Sequence, residues 1–106
     1  MAYRISIGYK QPTDPEAFDS YYTEKHLPLA SQIPGVTRFA AGKTETFDGT
    51  TPDNYLIAEI SFESKEKALA ALASPEGQAA TADLGNFATG GAAIHFSNED
   101  IIAPPD

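Results

Sequence analysis

The sequence predicts an α+β domain with the βαββαβ order of the ferredoxin-like fold: a four-stranded antiparallel sheet with both helices on one face. Three observations carry this. Tyr3 to Lys10 alternates strictly, with Tyr3, Ile5, Ile7 and Tyr9 opposite Arg4, Ser6, Gly8 and Lys10, the period of a half-buried strand. Phe18, Tyr22, His26, Leu29 and Ile33 then recur at helical spacing, marking one face of a helix. A strand, strand, helix, strand series follows and completes the order.

The first helix has a well-marked start. Asp14 suits the N-cap, Pro15 the first helical position and Glu16 the positive end of the helix dipole. Pro28 interrupts the helical run, so a kink or break is expected just after His26. Pro34-Gly35 ends the element.

Val36 to Phe47 reads as the second strand and Asn54 to Glu63 as the third, joined by a hairpin loop over residues 48–53. In the third strand Leu56, Ala58, Ile60 and Phe62 form one face, and Tyr55, Ile57, Glu59 and Ser61 the other. Ser64 caps a helix carrying Ala68, Leu69 and Leu72. Ser74-Pro75-Glu76 restarts a helix running to about Leu84, with Gly85 as its stop. After Gly90-Gly91 the last strand spans Ala92 to Ser97. The domain is thus expected over residues 1–97, with 98–106 a short tail that frays at Ala103-Pro104-Pro105-Asp106.

In this topology the strand order is 4-1-3-2. The core under the helices is expected to hold Ile5, Ile7, Leu56, Ala58, Ile60, Phe62, Ile94 and Phe96. The opposite face carries Arg4, Ser6, Tyr55, Ile57, Glu59, Ala93, His95 and Ser97. A monomer can leave so mixed a face in water, and a dimer can bury it by pairing Arg4 with Glu59. Pattern alone leaves both open.

Composition excludes more than it suggests. Of 106 residues 42% are hydrophobic, enough for one core, and no stretch approaches the ~20 apolar residues of a membrane span. Tyr3 enters a strand pattern directly, leaving no room for a signal peptide, so the cytoplasm is the expected compartment. The lack of cysteine removes disulfides, thiolate metal sites and cysteine nucleophiles. A formal charge of −8, from 15 acidic and 7 basic side chains, disfavours nucleic acid and anionic membranes as partners.

The stretch Phe18-Asp19-Ser20-Tyr21-Tyr22-Thr23-Glu24-Lys25-His26-Leu27-Pro28-Leu29-Ala30, followed by Ile33-Pro34-Gly35, resembles the EthD family. That family shows an aromatic-rich helix running into His-x-Pro and then a Pro-Gly turn. Ala58-Glu59, Phe62, Ser74-Pro75-Glu76-Gly77 and Asn86-Phe87-Ala88-Thr89-Gly90-Gly91 extend the resemblance over nearly the whole chain. It implies a dimeric α/β barrel, in which the mixed sheet faces of two subunits pack together. It also implies kinship with a small protein required beside a cytochrome P450 system in ether degradation. Relatives on the same fold include polyketide cyclases, decarboxylases, isomerases, monooxygenases and haem-dependent enzymes, and a shared fold does not choose among these chemistries.

His26 is the leading candidate for chemistry, with Tyr22 one turn before it to hydrogen-bond the ring or hold a substrate oxygen. In apolar surroundings the neutral imidazole is favoured, able to accept one proton and donate another. The competing reading has His26 bonding a backbone carbonyl freed at Pro28 and ending the helix. His95 falls on the opposite sheet face and reads as structural. Phe18, Tyr21, Leu29, Ile33, Asn86 and Phe87 are the candidate ligand-binding residues, with Asn86 as a polar hook and Phe87 as a lid. Aspartates and glutamates read as scattered over the surface, without metal-ligand spacing. No phosphate loop, nucleotide fingerprint or Ser-His-Asp pattern is present, so no cofactor or metal is called for.

Two functions of different class follow. One is a cofactor-independent enzyme in which His26 moves a proton on a hydrophobic carbonyl or phenolic substrate, as a cyclase, decarboxylase or isomerase does. The other is a non-catalytic, ligand-binding accessory of an oxidative degradation pathway. A haem protein is the remote third.

Overall fold

Strict alternation produces the central strand. In the computed structural model, which describes residues 2–103, β1 (Tyr3–Lys10) buries Tyr3, Ile5, Ile7 and Tyr9 and leaves Arg4, Ser6 and Gly8 half-buried. It pairs antiparallel with β3 (Asn54–Phe62) on one side and β4 (Ala92–Asn98) on the other, and β2 (Arg38–Lys43) adds to β3. The sheet order β2-β3-β1-β4 is the expected one. Of the residues predicted to fray, Ala103 to Asp106, the last three lie outside the described residues.

β2 is shorter than the sequence predicts. Its middle, Ala40-Ala41-Gly42, brings little side chain to pack. Beyond it, local bonds win: the Thr46 hydroxyl donates to the Thr50 carbonyl at 2.6 Å, and Asp48 accepts from the Thr50 N–H at 3.1 Å. These form an Asx-type turn in place of ladder pairs.

β3 departs from its predicted alternation at one end. Tyr9 pairs with Leu56 but Lys10 with Asn54, so Tyr55 is one residue extra. Such a bulge exchanges the faces of the residues it separates. Tyr55, expected on the open sheet face, therefore packs edge-on to Phe18 at 5.3 Å and donates to Asp19 at 2.9 Å.

The helical layer consists of α1 (Pro15–Tyr21), a π-helical turn (Tyr22–His26), α2 (Leu27–Ala30), α3 (Lys65–Ala73) and α4 (Pro75–Phe87). Asp14 caps α1 through the Ala17 N–H at 3.2 Å, and Ser64 and Ser74 cap α3 and α4. α4 does not stop at Gly85 but continues to Phe87. The ~1 kcal/mol penalty of a helical glycine is outweighed by the buried anchors Asp83 and Phe87 on either side of it.

Ile5, Ile7, Leu56, Ala58, Ile60 and Phe62 form the predicted core. Ile94 and Phe96 do not: they remain 39% and 49% exposed. α4 leans on α2, α3 and the π-helical turn, and the helix-side space over the β1–β4 half of the sheet is left unfilled. On the opposite face Arg4 reaches Ser97 at 3.1 Å, Glu59 at 4.0 Å and Glu99 at 3.9 Å, with Ile57 41% exposed.

Gly77 sets the place of α4. A Cβ there would overlap the Ala71 carbonyl oxygen and lie 2.8 Å from Leu72 Cα, so only glycine lets the start of α4 meet the end of α3. Gly77→Ala is expected to lower unfolding stability by about 1–3 kcal/mol, as overpacking does, measured by urea denaturation. An unchanged midpoint would show that α4 is free to shift.

Candidate functional site

The site begins with a proline. Without an N–H, Pro28 gives no bond to the preceding turn, and its ring would crowd the Glu24 carbonyl in a regular α-helix. The chain does not break there. It widens instead: the Leu27 N–H bonds the Tyr22 carbonyl, five residues back, and α-helical backbone resumes at once. π-turns of this kind admit one extra residue and re-aim the side chains around them. Here the turn stacks Tyr22 on His26, ring centroids 5.6 Å apart, with Phe87 4.6 Å from the imidazole.

His26 is 4% exposed and bonds neither a backbone carbonyl nor the Tyr22 hydroxyl. Its Nδ1 lies 3.0 Å from Oδ2 of Asp83 on α4. Asp83 is itself buried, 6% exposed, which corrects its assignment to the surface. Its Oδ1 accepts from the Tyr21 hydroxyl at 2.6 Å and from Asn86 Nδ2 at 2.9 Å. Burial alone pushes the Asp83 carboxyl up. The hydrogen bonds from Tyr21, Asn86 and His26 together outweigh it and hold the group below the usual carboxylate range. The Tyr21 phenol is raised in return, mainly because its proton is held by that carboxylate. Asp83 thus stays ionised and ties three side chains of two helical segments together.

Asp83 had a sequence signal. Ala80, Asp83, Leu84 and Phe87 follow the i, i+3, i+4, i+7 spacing of a buried stripe. A carboxylate on such a stripe calls for donors, and the aromatic helix supplies them.

Beside this network the unfilled space forms a cavity of about 460 Å³, within the range of small-molecule sites. Ile5, Ile7, Ile94 and Phe96 make its floor, Ala30 and Ile33 one wall, and Ala80 and Leu84 of α4 another. His26 is the one titratable side chain among the lining residues, joined only by Gln78 and Thr81 as polar neighbours. Its Nε2 makes no hydrogen bond to any described residue. Nδ1 is thus engaged, Nε2 has no partner among the described residues, and His26 lines the cavity.

The candidate residues divide. His26 and Ile33 line the large cavity. Phe18, Tyr21, Asn86 and Phe87 instead border a separate concavity of about 190 Å³, and Leu29 is 38% exposed and borders neither. Phe87, read as a lid, is 4% exposed and packed between Tyr9 and Tyr21 in the aromatic cluster. Asn86, read as a hook for a ligand, holds Asp83. Tyr22 is buried with no partner for its hydroxyl among the described residues, and desolvation pushes its phenol up to about 12. His95 pairs with Ser6 across the strands and lies exposed on the face away from His26. Among the described residues no cluster of three or more His, Asp or Glu has metal-binding geometry, and no helix is long and apolar enough to cross a membrane.

Comparison with known proteins gives this geometry a setting. Residues 10–91 match the EthD domain family. An uncharacterized 11.0 kDa protein from the thcB-thcC intergenic region of Rhodococcus erythropolis is 52% identical over 102 residues, covering 96% of this chain and 99% of that protein. The crystal structure of an ethyl tert-butyl ether d (EthD) family protein from Bacillus halodurans superposes with a TM-score of 0.89 at 28% identity, over 94% of this chain and all of that one. SnoaB of Streptomyces nogalater, a cofactor-independent oxygenase, shares the fold alone, with a TM-score of 0.67 at 14% identity over 98% of this chain and 97% of that one. The fold is ferredoxin-like, with a four-stranded antiparallel sheet.

The Asp83 network predicts a pH dependence. Because the folded carboxyl titrates below its unfolded value of about 3.9, its contribution is complete above that value and is lost as the pH falls through the folded pKa. Asp83→Asn is expected to be less stable than wild type at pH 7, by about 1.5–3 kcal/mol for charge-assisted bonds. The gap should shrink below pH ~4. Denaturant melts at pH 7, 5 and 3 measure it, and a gap independent of pH would contradict an ionised Asp83.

Proposed function

The chain belongs to the EthD family, and from that premise we propose that it binds an uncharged hydrophobic molecule in the cavity beside β4, with His26 Nε2 as the proton-transferring group. One observation carries this: His26, with one ring nitrogen unpartnered among the described residues, lines a cavity whose other lining residues are apolar apart from Gln78 and Thr81. A proton taken from a carbon next to a carbonyl, or from a phenol, would leave its electron pair on the substrate oxygen. The imidazolium, steadied by Asp83, could return the proton elsewhere on the molecule. Isomerisation and cyclisation of such compounds use this step without a cofactor, whereas decarboxylation would bring a carboxylate to a cavity lined by no Lys or Arg. Tyr22, expected from the sequence to hold a substrate oxygen, borders neither concavity, and its buried hydroxyl is left out of this reading. Ile33 is the apolar contact. SnoaB, a cofactor-independent oxygenase, shares the fold, and this reading likewise asks for no cofactor.

A non-catalytic role is the second reading: an accessory protein that holds an apolar compound for an oxidative degradation, such as ether breakdown beside a cytochrome P450 system. The wall favours it in one respect, since it offers a single titratable side chain where acid-base catalysis commonly uses two. The cysteine-free acidic chain suits the cytoplasm under either reading.

We also propose a homodimer built on the open sheet face, where Ile57 stands half-exposed among Arg4, Glu59 and His95. Sedimentation at micromolar concentration is expected to give twice the chain mass, and Ile57→Asp to give the single chain. A monomeric wild type would refute the dimer.

Ligand binding is tested by a thermal-shift screen of small aromatic and alicyclic compounds on wild type and His26→Ala. A ligand at a hundred times its Kd adds about 2.7 kcal/mol of apparent stability, and hits are expected to weaken sharply in the variant. Turnover of a hit by wild type and not by His26→Ala supports the enzyme. Binding without turnover, indifferent to the substitution, supports the accessory role. No hits would contradict both.

A further inference from the structure

The two oxygens of Asp83 are not equivalent. Oδ1 already takes two donors, the Tyr21 hydroxyl and Asn86 Nδ2, and Oδ2 faces His26 Nδ1 alone. An ionised carboxylate has no proton to give, so Nδ1 must carry one. A neutral imidazole protonated at Nδ1 has its lone pair at Nε2, and the cavity therefore meets an acceptor.

We propose that Asp83 is a positioning residue that fixes His26 as a hydrogen-bond acceptor, so that the cavity selects uncharged ligands bearing a weakly acidic O–H, phenols and enols, over their methyl ethers and over carboxylates. The proposal rests on the reading of this cavity as a ligand site. An ether has no proton for Nε2 and leaves it without a partner from the ligand. A carboxylate finds no Lys or Arg among the lining residues and has the charge of Asp83 behind the imidazole. Gln78 and Thr81 offer only neutral groups, and the Thr81 hydroxyl already donates to the Gly77 carbonyl at 2.9 Å.

The same geometry specifies how to invert the site. In Asp83→Asn the side-chain carbonyl oxygen is held in the Oδ1 place by its two donors, which puts the amide nitrogen against Nδ1. That nitrogen donates, Nδ1 must accept, and the imidazole proton moves to Nε2. The cavity then meets a donor, which a hydroxyl oxygen and an ether oxygen can both accept, and the preference for an O–H is lost.

The tautomer can be read without any ligand by long-range ¹H–¹⁵N NMR at pH 8, with His95→Gln in both proteins so that His26 is the only histidine. The expected result is Nδ1–H in the Asp83 protein and Nε2–H with Asp83→Asn. Nε2–H in the Asp83 protein, or the same tautomer in both, would overturn the proposal. Calorimetry then compares 1-naphthol, 1-methoxynaphthalene and 1-naphthoate. Wild type is expected to bind 1-naphthol at least ~10-fold more tightly than either of the others, one hydrogen bond being worth about that factor, and Asp83→Asn to lose most of the difference between the naphthol and the ether. Ether binding as tight as naphthol binding in wild type overturns the selectivity alone. Failure of all three compounds to bind overturns the selectivity together with the ligand-site reading, and the tautomer distinguishes the two failures. Should Asp83→Asn not fold, the wild-type tautomer and rank order still decide.

Discussion

A buried carboxylate governs this structure. Asp83 lies inside an apolar layer where an unpaired charge would be prohibitive, and it is tolerated because Tyr21, Asn86 and His26 bring it three donors. Those donors come from two segments remote in sequence. Each must arrive in one orientation, so α4 is locked in rotation and depth against the aromatic helix. The empty space over β4 follows from that lock: α4 is held toward α2 and the π-helical turn, and Ile94 and Phe96 are left to floor a cavity rather than close a core.

Two other constraints serve the same arrangement. Pro28 denies the helix a regular turn, and the widening that results lets His26 reach across to α4 while Tyr22 and Phe87 close over its ring. Gly77 removes the one Cβ that would push α4 away from α3. Neither residue touches a ligand in the proposed site, yet each controls where Asp83 lies. Substitutions at these positions would change the site through the backbone.

Much of the fold was legible because it rests on local periodicity. The alternation of β1, the caps at Asp14, Ser64 and Ser74, and the apolar face of β3 all follow from neighbours in sequence. Misreadings fell where tertiary contacts outweighed local rules. Gly85 reads as a helix stop but lies between buried anchors. Tyr55 reads as an open-face residue, and one bulged position turns it toward Asp19. The Pro28 break becomes a π-turn because a continuous hydrogen-bonded path was available. In the candidate site His26 was legible from its place on the aromatic helix, and its partner was not. An aspartate in an alanine-rich helix looks like surface until its spacing from Ala80, Leu84 and Phe87 is weighed. The division of the other candidates between two concavities depends on the rotation of α4, which no periodicity reports.

The proposed contact between the free nitrogen of His26 and a ligand in the cavity beside β4 is open to direct observation. A crystal structure of the protein grown with 4-iodophenol tests it most directly, since the iodine marks the position of the ring. The phenol oxygen is expected within hydrogen-bonding reach of His26 Nε2, about 2.6–3.2 Å, with the ring against Ile33 and Phe96. Iodine at the concavity bordered by Tyr21 and Asn86, or a cavity holding only water, would contradict it.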